Sequence, residues 1–302
     1  MGYYRAGDII KKTREALGIT QEELSDGICA VENLSRMENN HTKIKKETYR
    51  RLMQKMGRIP EKVYAVGIGA NMEILEEGYF LERYYAKHEY ETAMKYAEQL
   101  EEKIGKDVLD QQYLRRMKAL CRYRLKQIDI VMLVEELEAA LSLTLKDYEN
   151  ALKKQMPLTD QEMQLCMNIA YMLYEKGDVQ RSFLLLEWVK EYVDHLSMEK
   201  IRKQAVLYGL YGRMLLMEGE YKKAKEYLEQ ALEFAIERND GVLIFTYLEH
   251  LFLIEKEFGC SEEQKIKRVV QLYYLAVARQ DKQLVKNIET YYSEYKRYFS
   301  EC

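Results

Sequence analysis

Proline is almost missing from this chain, with 2 residues in 302, and glycine is held to 15. An all-β fold needs such breakers at its many turns, so their scarcity excludes a sandwich or barrel and favours long helices joined by short loops. Tryptophan occurs once, against 26 tyrosines. The five cysteines (Cys29, Cys121, Cys166, Cys260, Cys302) are odd in number and form no C-x-x-C pair. That pattern fits free thiols in a reducing cytoplasm, not a disulfide framework or a zinc site. No apolar run approaches the ~18 residues of a bilayer span. Residues 1–12 hold no apolar stretch of secretory type, so no signal peptide is expected. Catalytic signatures are missing as well. His41, His88, His195 and His250 lie far apart, no G-x-S-x-G occurs, and G-I-G-A at 67–70 lacks the Lys-Ser/Thr of a phosphate-binding loop. The chain is therefore expected to be no enzyme and to carry no metal and no cofactor.

What is present suffices for a packed core, since 47% of the residues are hydrophobic. Charged residues make up 32%, and the net charge is −3. That small sum hides an asymmetry. Residues 1–60 carry 12 Lys/Arg against 8 Asp/Glu, and the remainder carries 35 against 42. A basic segment on an acidic body points toward nucleic acid for the first part.

The periodicity predicts a helix over Asp8–Leu17, with Ile9, Ile10, Thr13, Ala16 and Leu17 on one face, stopped by Gly18. Thr20 and Glu23 stand at capping-box spacing for a second, short helix, Gln21–Gly27. A connection at Ile28–Ala30 leads to a third helix carrying Val31, Leu34, Ser35, Met37 and Glu38. A fourth, strongly basic helix spans Lys45–Met56 and is closed by Gly57. Short helix, tight turn, second helix is the helix-turn-helix pattern.

The strings R-E-A-L-G-I-T-Q-E-E-L-S (14–25) and L-S-R-M-E-N (34–39) resemble the phage-repressor/Cro-like class. Within it, L-S-D-G-I-C-A-V-E-N-L-S-R-M-E (24–38) is similar to the DNA-binding head of Rgg/PlcR-type regulators, bacterial cytoplasmic receptors for secreted peptide pheromones. The resemblance implies that Gln21 meets a backbone phosphate and that Val31, Glu32 and Asn33 open the recognition helix. Asn can pair with adenine, Glu can accept from cytosine N4, and Val can touch a thymine methyl. Arg36 is either a phosphate contact or simply exposed. Arg14 and Glu38 match a family pair that bridges helix 1 to the end of helix 3, a structural role. The usual turn glycine gives way to the region around Cys29, and Glu32 brings a negative charge toward DNA.

Beyond Pro60, the expected hinge, helical patterns repeat. The clearest unit runs from Tyr208 to Ile236, with Gly212, Leu215, Gly219, Tyr221, Ala224, Leu228 and Ala231 in the small and large positions of a tetratricopeptide (TPR) repeat. A second places Ala170, Leu173, Gly177, Ser182 and Val189 at the same offsets. Weaker copies use Tyr84, Tyr90, Ala93 and Leu100, then Ala119, Val131 and Leu141, then Thr246 through Gly259 to Leu275. Gln283–Phe299 reads as a terminal capping helix. About five helix pairs are expected, with tyrosine rings filling the gaps between helices.

A solenoid's concave surface suits an extended peptide, whose backbone amides an Asn side chain both donates to and accepts from. Asn168, two residues before Ala170, lies where TPR proteins, peptide receptors among them, place a peptide-clamping Asn. An internal hydrogen bond is its alternative role. Helical offsets add Gln164, Tyr171, Tyr174 and Arg213 to that surface, with Arg116, Tyr123 and Glu249 on neighbouring repeats; an Arg can hold a carboxylate with two hydrogen bonds.

These features predict an all-α protein. Residues 1–66 form a helix-turn-helix DNA-binding domain, and 67–302 a TPR-like helical-repeat regulatory domain. The expected function is that of a cytoplasmic transcription regulator, with a double-stranded DNA operator and a signalling peptide as partners and no membrane. One head reads one half-site, so a homodimer with heads ~34 Å apart is expected. The alternative is a DNA-tethered TPR protein that binds a partner protein instead of a free peptide.

Overall fold

Helices account for all regular structure in the computed structural model, which describes residues 6–58, 72–104, 108–195, 201–259 and 261–299. They gather into two compact units, Met1–Ser197 and Met198–Cys302. The expected boundary at residue 66, the hinge at Pro60 and the segment 61–70 lie outside the described residues.

The first unit begins with α1 (Ala6–Leu17), α2 (Gln21–Ser25), α3 (Val31–Glu38) and α4 (Lys46–Lys55). Ile10, Leu24, Leu34 and Leu52, one from each helix, are fully buried, and Met53 and Met56 are nearly so. Truncating such a residue to Ala removes about 2–5 kcal/mol. α1 crosses α3 at Gly7, where a Cβ would stand 2.0 Å from the Met37 carbonyl oxygen, so only glycine allows the approach. The capping box at Thr20 and Glu23 forms as predicted. α2 stops at Ser25, earlier than predicted, because Asp26 turns to φ −52°, ψ 127° and Gly27 takes φ +72°. The left-handed residue of the turn is thus Gly27, and the position of Cys29 does not require a glycine.

The unit continues with α5 (Met72–Ala86), α6 (Tyr90–Lys103), α7 (Val108–Arg124), α8 (Ile130–Leu141), α9 (Tyr148–Lys153), α10 (Asp160–Lys176) and α11 (Val179–Asp194). Each of α5/α6, α7/α8 and α10/α11 is a packed pair, and α10 also packs on α7 and α8. Asp129, Thr159 and Asp178 cap α8, α10 and α11. Gly177 ends α10 at φ +95°, and Ser182 Oγ donates to the Ala170 carbonyl at 2.6 Å, tying the pair α10/α11 across its turn. One predicted repeat position is wrong. Val131 is 41% exposed, and the buried stripe of α8 is Leu133, Val134, Leu137 and Leu141. The cap at Asp129 starts the helix with Val131 on its outer side.

The second unit holds α12 (Ile201–Met217), α13 (Tyr221–Glu237), α14 (Gly241–Glu257), α15 (Glu262–Ala278) and α16 (Lys282–Tyr291). A Cβ on Gly212 would lie 2.7 Å from Leu228 Cγ and 3.1 Å from the Ala224 carbonyl oxygen, so the predicted small residues do allow α12 and α13 to touch. The predicted terminal helix is broken. Tyr292 (φ −121°, ψ 40°) ends α16, and a 3₁₀ turn, Ser293–Tyr298, returns Tyr295 and Phe299 to the core, where Phe299 stacks on Tyr273 at 4.2 Å. Tyrosine serves as predicted. Tyr211 stacks on Tyr227 at 4.6 Å, and buried Tyr247 donates to the Ala205 carbonyl at 2.9 Å. In the first unit Tyr113, 1% exposed, donates to the Gly78 carbonyl.

Candidate functional site

The helix-turn-helix is held from within by one carboxylate. Glu38, 1% exposed, accepts from Arg14 Nε at 2.6 Å, Arg14 Nη2 at 2.9 Å and Gln21 Nε2 at 2.6 Å. Arg14 also donates to the Ile19 carbonyl at 3.0 Å, and its hydrogen bond to Glu38 raises the guanidinium pKa further. The predicted Arg14–Glu38 bridge is therefore present. Gln21 is a third member of it: its amide nitrogen faces Glu38, not solvent.

On α3 the apolar side, Leu34 and Met37, turns inward, while Glu32, Asn33 and Arg36 are exposed and Val31 is half-buried. Ala30 precedes the helix without a side-chain cap. The arrangement offers an accepting, a donating-and-accepting and a cationic group on one edge, the set that base edges and phosphates require. The basic α4 proves to be partly structural. Arg51 Nη2 donates to the Gly27 carbonyl and Lys55 Nζ to the Asp26 carbonyl, both at 2.6 Å, so α4 clamps the turn between α2 and α3. Arg50 pairs with Glu47 of its own helix.

In the body, Gln164 is exposed on α10, and Asn168, Tyr171 and Tyr174 are half-buried on the same side. Asn168 Oδ1 is shielded from solvent and has no hydrogen-bond partner. A shielded acceptor without a donor is unfavourable by about 1–3 kcal/mol. Tyr174 meets Phe183 edge to face, tying it to α11.

Other predicted residues are placed differently. Arg116 is 7% exposed, lies over the Tyr113 ring at 5.6 Å and stands 3.8 Å from Glu82. Burial lowers its pKa, and its Nε has no partner. It is packed into the α5–α7 layer. Tyr123 lines a cavity of about 470 Å³ with Arg124, Lys126, Gln127, Ile128, Asp129 and Met132 at the turn from α7 to α8. Arg213 belongs to the second unit, exposed on α12, where its charge reaches His250 of α14. Burial, with Arg213 adding to it, lowers His250 to about 4, and its Nδ1 has no partner. Glu249 is half-buried beside it in sequence, and burial raises its pKa.

One cluster escaped sequence reasoning. Arg58, just after α4, donates from both Nη atoms to the two oxygens of Glu162 on α10, each at 2.7 Å, and to the Pro157 carbonyl at 2.8 Å. No local pattern links residues 104 positions apart. Among the described residues no group of His, Cys, Asp and Glu is placed to hold a metal, and no helix is long and apolar enough to cross a membrane.

Comparison with known proteins agrees with this architecture. The helix-turn-helix family matches residues 10–62. No curated protein matches the chain. Among solved structures, Bacillus thuringiensis PlcR in complex with the peptide PapR7 and DNA is similar over 96% of this chain and 98% of that one, at 17% identity and a TM-score of 0.61. Its apo form covers 94% and 98%, at 15% identity and 0.60. ComR from S. thermophilus, in complex with DNA and its signalling peptide ComS, covers 97% and 100%, at 14% identity and 0.54. At such identities the likeness is one of fold, and it extends along nearly the whole chain: a helix-turn-helix head followed by TPR-like helical repeats.

Proposed function

We propose that the chain is a transcription regulator, not an enzyme. Its head, residues 1–66, reads operator DNA through Val31, Glu32, Asn33 and Arg36 of α3. Its repeat domain, residues 67–302, binds a signalling peptide along the Gln164–Asn168–Tyr171 side of α10. The observation that carries the reading is the side of α10 left uncovered by packing, where exposed Gln164 and half-buried Asn168 and Tyr171 stand at the positions that the repeat pattern singles out. Support comes from the full-length likeness of fold to PlcR and ComR, each solved with DNA and a peptide. Tyr123 is a further peptide contact in this reading. Arg116, being buried, and Gln21, being bound to Glu38, act by positioning their neighbours.

One head reads one half-site, so the working form is a homodimer in the cytoplasm. Peptide binding controls DNA binding only to the extent that the two conformational states differ in peptide affinity. Mass spectrometry of ligands carried by natively purified protein tests the peptide. A small peptide released on denaturation is expected; recovery of a partner protein alone, with no peptide, refutes the peptide reading and favours the tethered-interaction alternative. Enrichment of duplexes from a random DNA pool tests the head in parallel.

A further inference from the structure

Among the described residues, hydrogen bonds made by Lys154 and by Arg58 join the helix-turn-helix to the repeats within the first unit. Lys154 Nζ, at the end of α9, donates to the Ala16 carbonyl at 2.8 Å. Arg58 pairs with Glu162, the side chains 4% and 0% exposed, and also donates to the Pro157 carbonyl. Glu162 is also the N3 residue of the α10 capping box: it accepts from the Thr159 N–H, and its own N–H donates to Thr159 Oγ1. One carboxylate therefore fixes the start of α10 and the end of the head at once. Six residues further along α10 stands Asn168.

We propose that Arg58 and Glu162 are a positioning pair that makes the DNA-binding head and α10 one moving piece, through which events on the Gln164–Asn168–Tyr171 face reach α3. The transmission rests on the function proposed above; the docking of the head does not. Three features support it. Two parallel N–H···O bonds set orientation as well as distance, which a single bond does not. Separating a buried pair strands an uncompensated charge, which is strongly unfavourable, so the joint stays closed while α10 shifts. Glu32, Asn33 and Arg36 remain exposed with the joint closed, so the contact holds the head without masking the edge that reads DNA.

Coupling is reciprocal, so DNA on the head must alter α10. The test is hydrogen exchange of the full chain, free and with duplex DNA enriched from a random pool by the wild type. In the wild type, DNA is expected to slow exchange in α3 and to change it at least twofold over residues 160–168. Arg58→Met keeps every residue of the capping box, and Glu162→Gln keeps a capping acceptor without the buried charge. Both should retain the α3 response and lose the α10 response. In the free protein, both should speed exchange over residues 53–58. An α10 response that persists in both variants, or is missing from the wild type, overturns the transmission. Unchanged exchange over 53–58 overturns the docking. A wild type that enriches no DNA refutes the DNA-binding reading itself, and the transmission with it; the docking is still judged by the free-protein comparison.

Discussion

The Arg14 guanidinium meets the Glu38 carboxylate edge to edge, at 2.6 and 2.9 Å, inside a head whose core is only a handful of side chains. Arg14→Ala leaves Glu38 buried with Gln21 as its remaining side-chain donor. Breaking a buried pair from one side costs about 3–5 kcal/mol. The expected result is a head that melts well below the body, seen as loss of exchange protection in α1–α3. A head of wild-type stability would show that the pair contributes nothing.

Val31, Glu32 and Asn33 are expected to behave in the opposite way. Two are exposed and one is half-buried, so replacing all three by Ala should shift stability by less than about 1 kcal/mol. The sequence preference recovered by DNA enrichment should be lost. A variant that enriches the wild-type sequences would remove α3 from the recognition surface.

Asn168→Ala removes an acceptor that has no partner, so the ligand-free protein should be as stable as the wild type or slightly more so. Co-purified peptide should fall at least tenfold, while affinity for enriched DNA in the absence of peptide stays unchanged. A drop in melting temperature with full peptide recovery would make Asn168 structural.

His250 predicts an acid limb in the stability of the second unit. Its folded pKa is pushed to about 4, below the ordinary 6.5, by burial and then by Arg213. Protonation therefore favours the unfolded chain. The stability is fully present above pH 6.5 and is lost as pH falls from 6.5 toward 4. At ~1.4 kcal/mol per unit, and allowing for partial exposure of the ring, the loss is roughly 2–3 kcal/mol. Denaturant melts across that range should show it, and His250→Gln should flatten it. A variant curve parallel to the wild type would remove His250 as its source.

The sequence revealed what depends on neighbours. The Thr20–Glu23 box, the Gly177 and Gly219 turns and the Gly212–Ala224 approach follow from residues a few positions, or one repeat, apart. The Arg14–Glu38 bridge spans 24 positions and was readable only through a family resemblance. Where tertiary packing decides, the pattern misled. Val131 is apolar at a plausible offset, yet the Asp129 cap sets a register that exposes it. Arg116 looks like a groove cation, yet α5 and Tyr113 enclose it. Tyr292 gives no local sign that a helix will break there, since the core position of Phe299 requires it. The Arg58–Glu162 joint has no sequence signature at all.

The clamp from α4 onto the turn has a consequence for ionic strength. Cations that release counterions from DNA set the slope of affinity against salt, at about 0.9 per neutralised phosphate. Arg51 and Lys55 are bound to the carbonyls of Gly27 and Asp26, Arg14 to Glu38, and Arg58 to Glu162. The counterion stoichiometry of this head, read as the slope of log affinity against log salt, is accordingly expected to be smaller than its lysine and arginine content suggests.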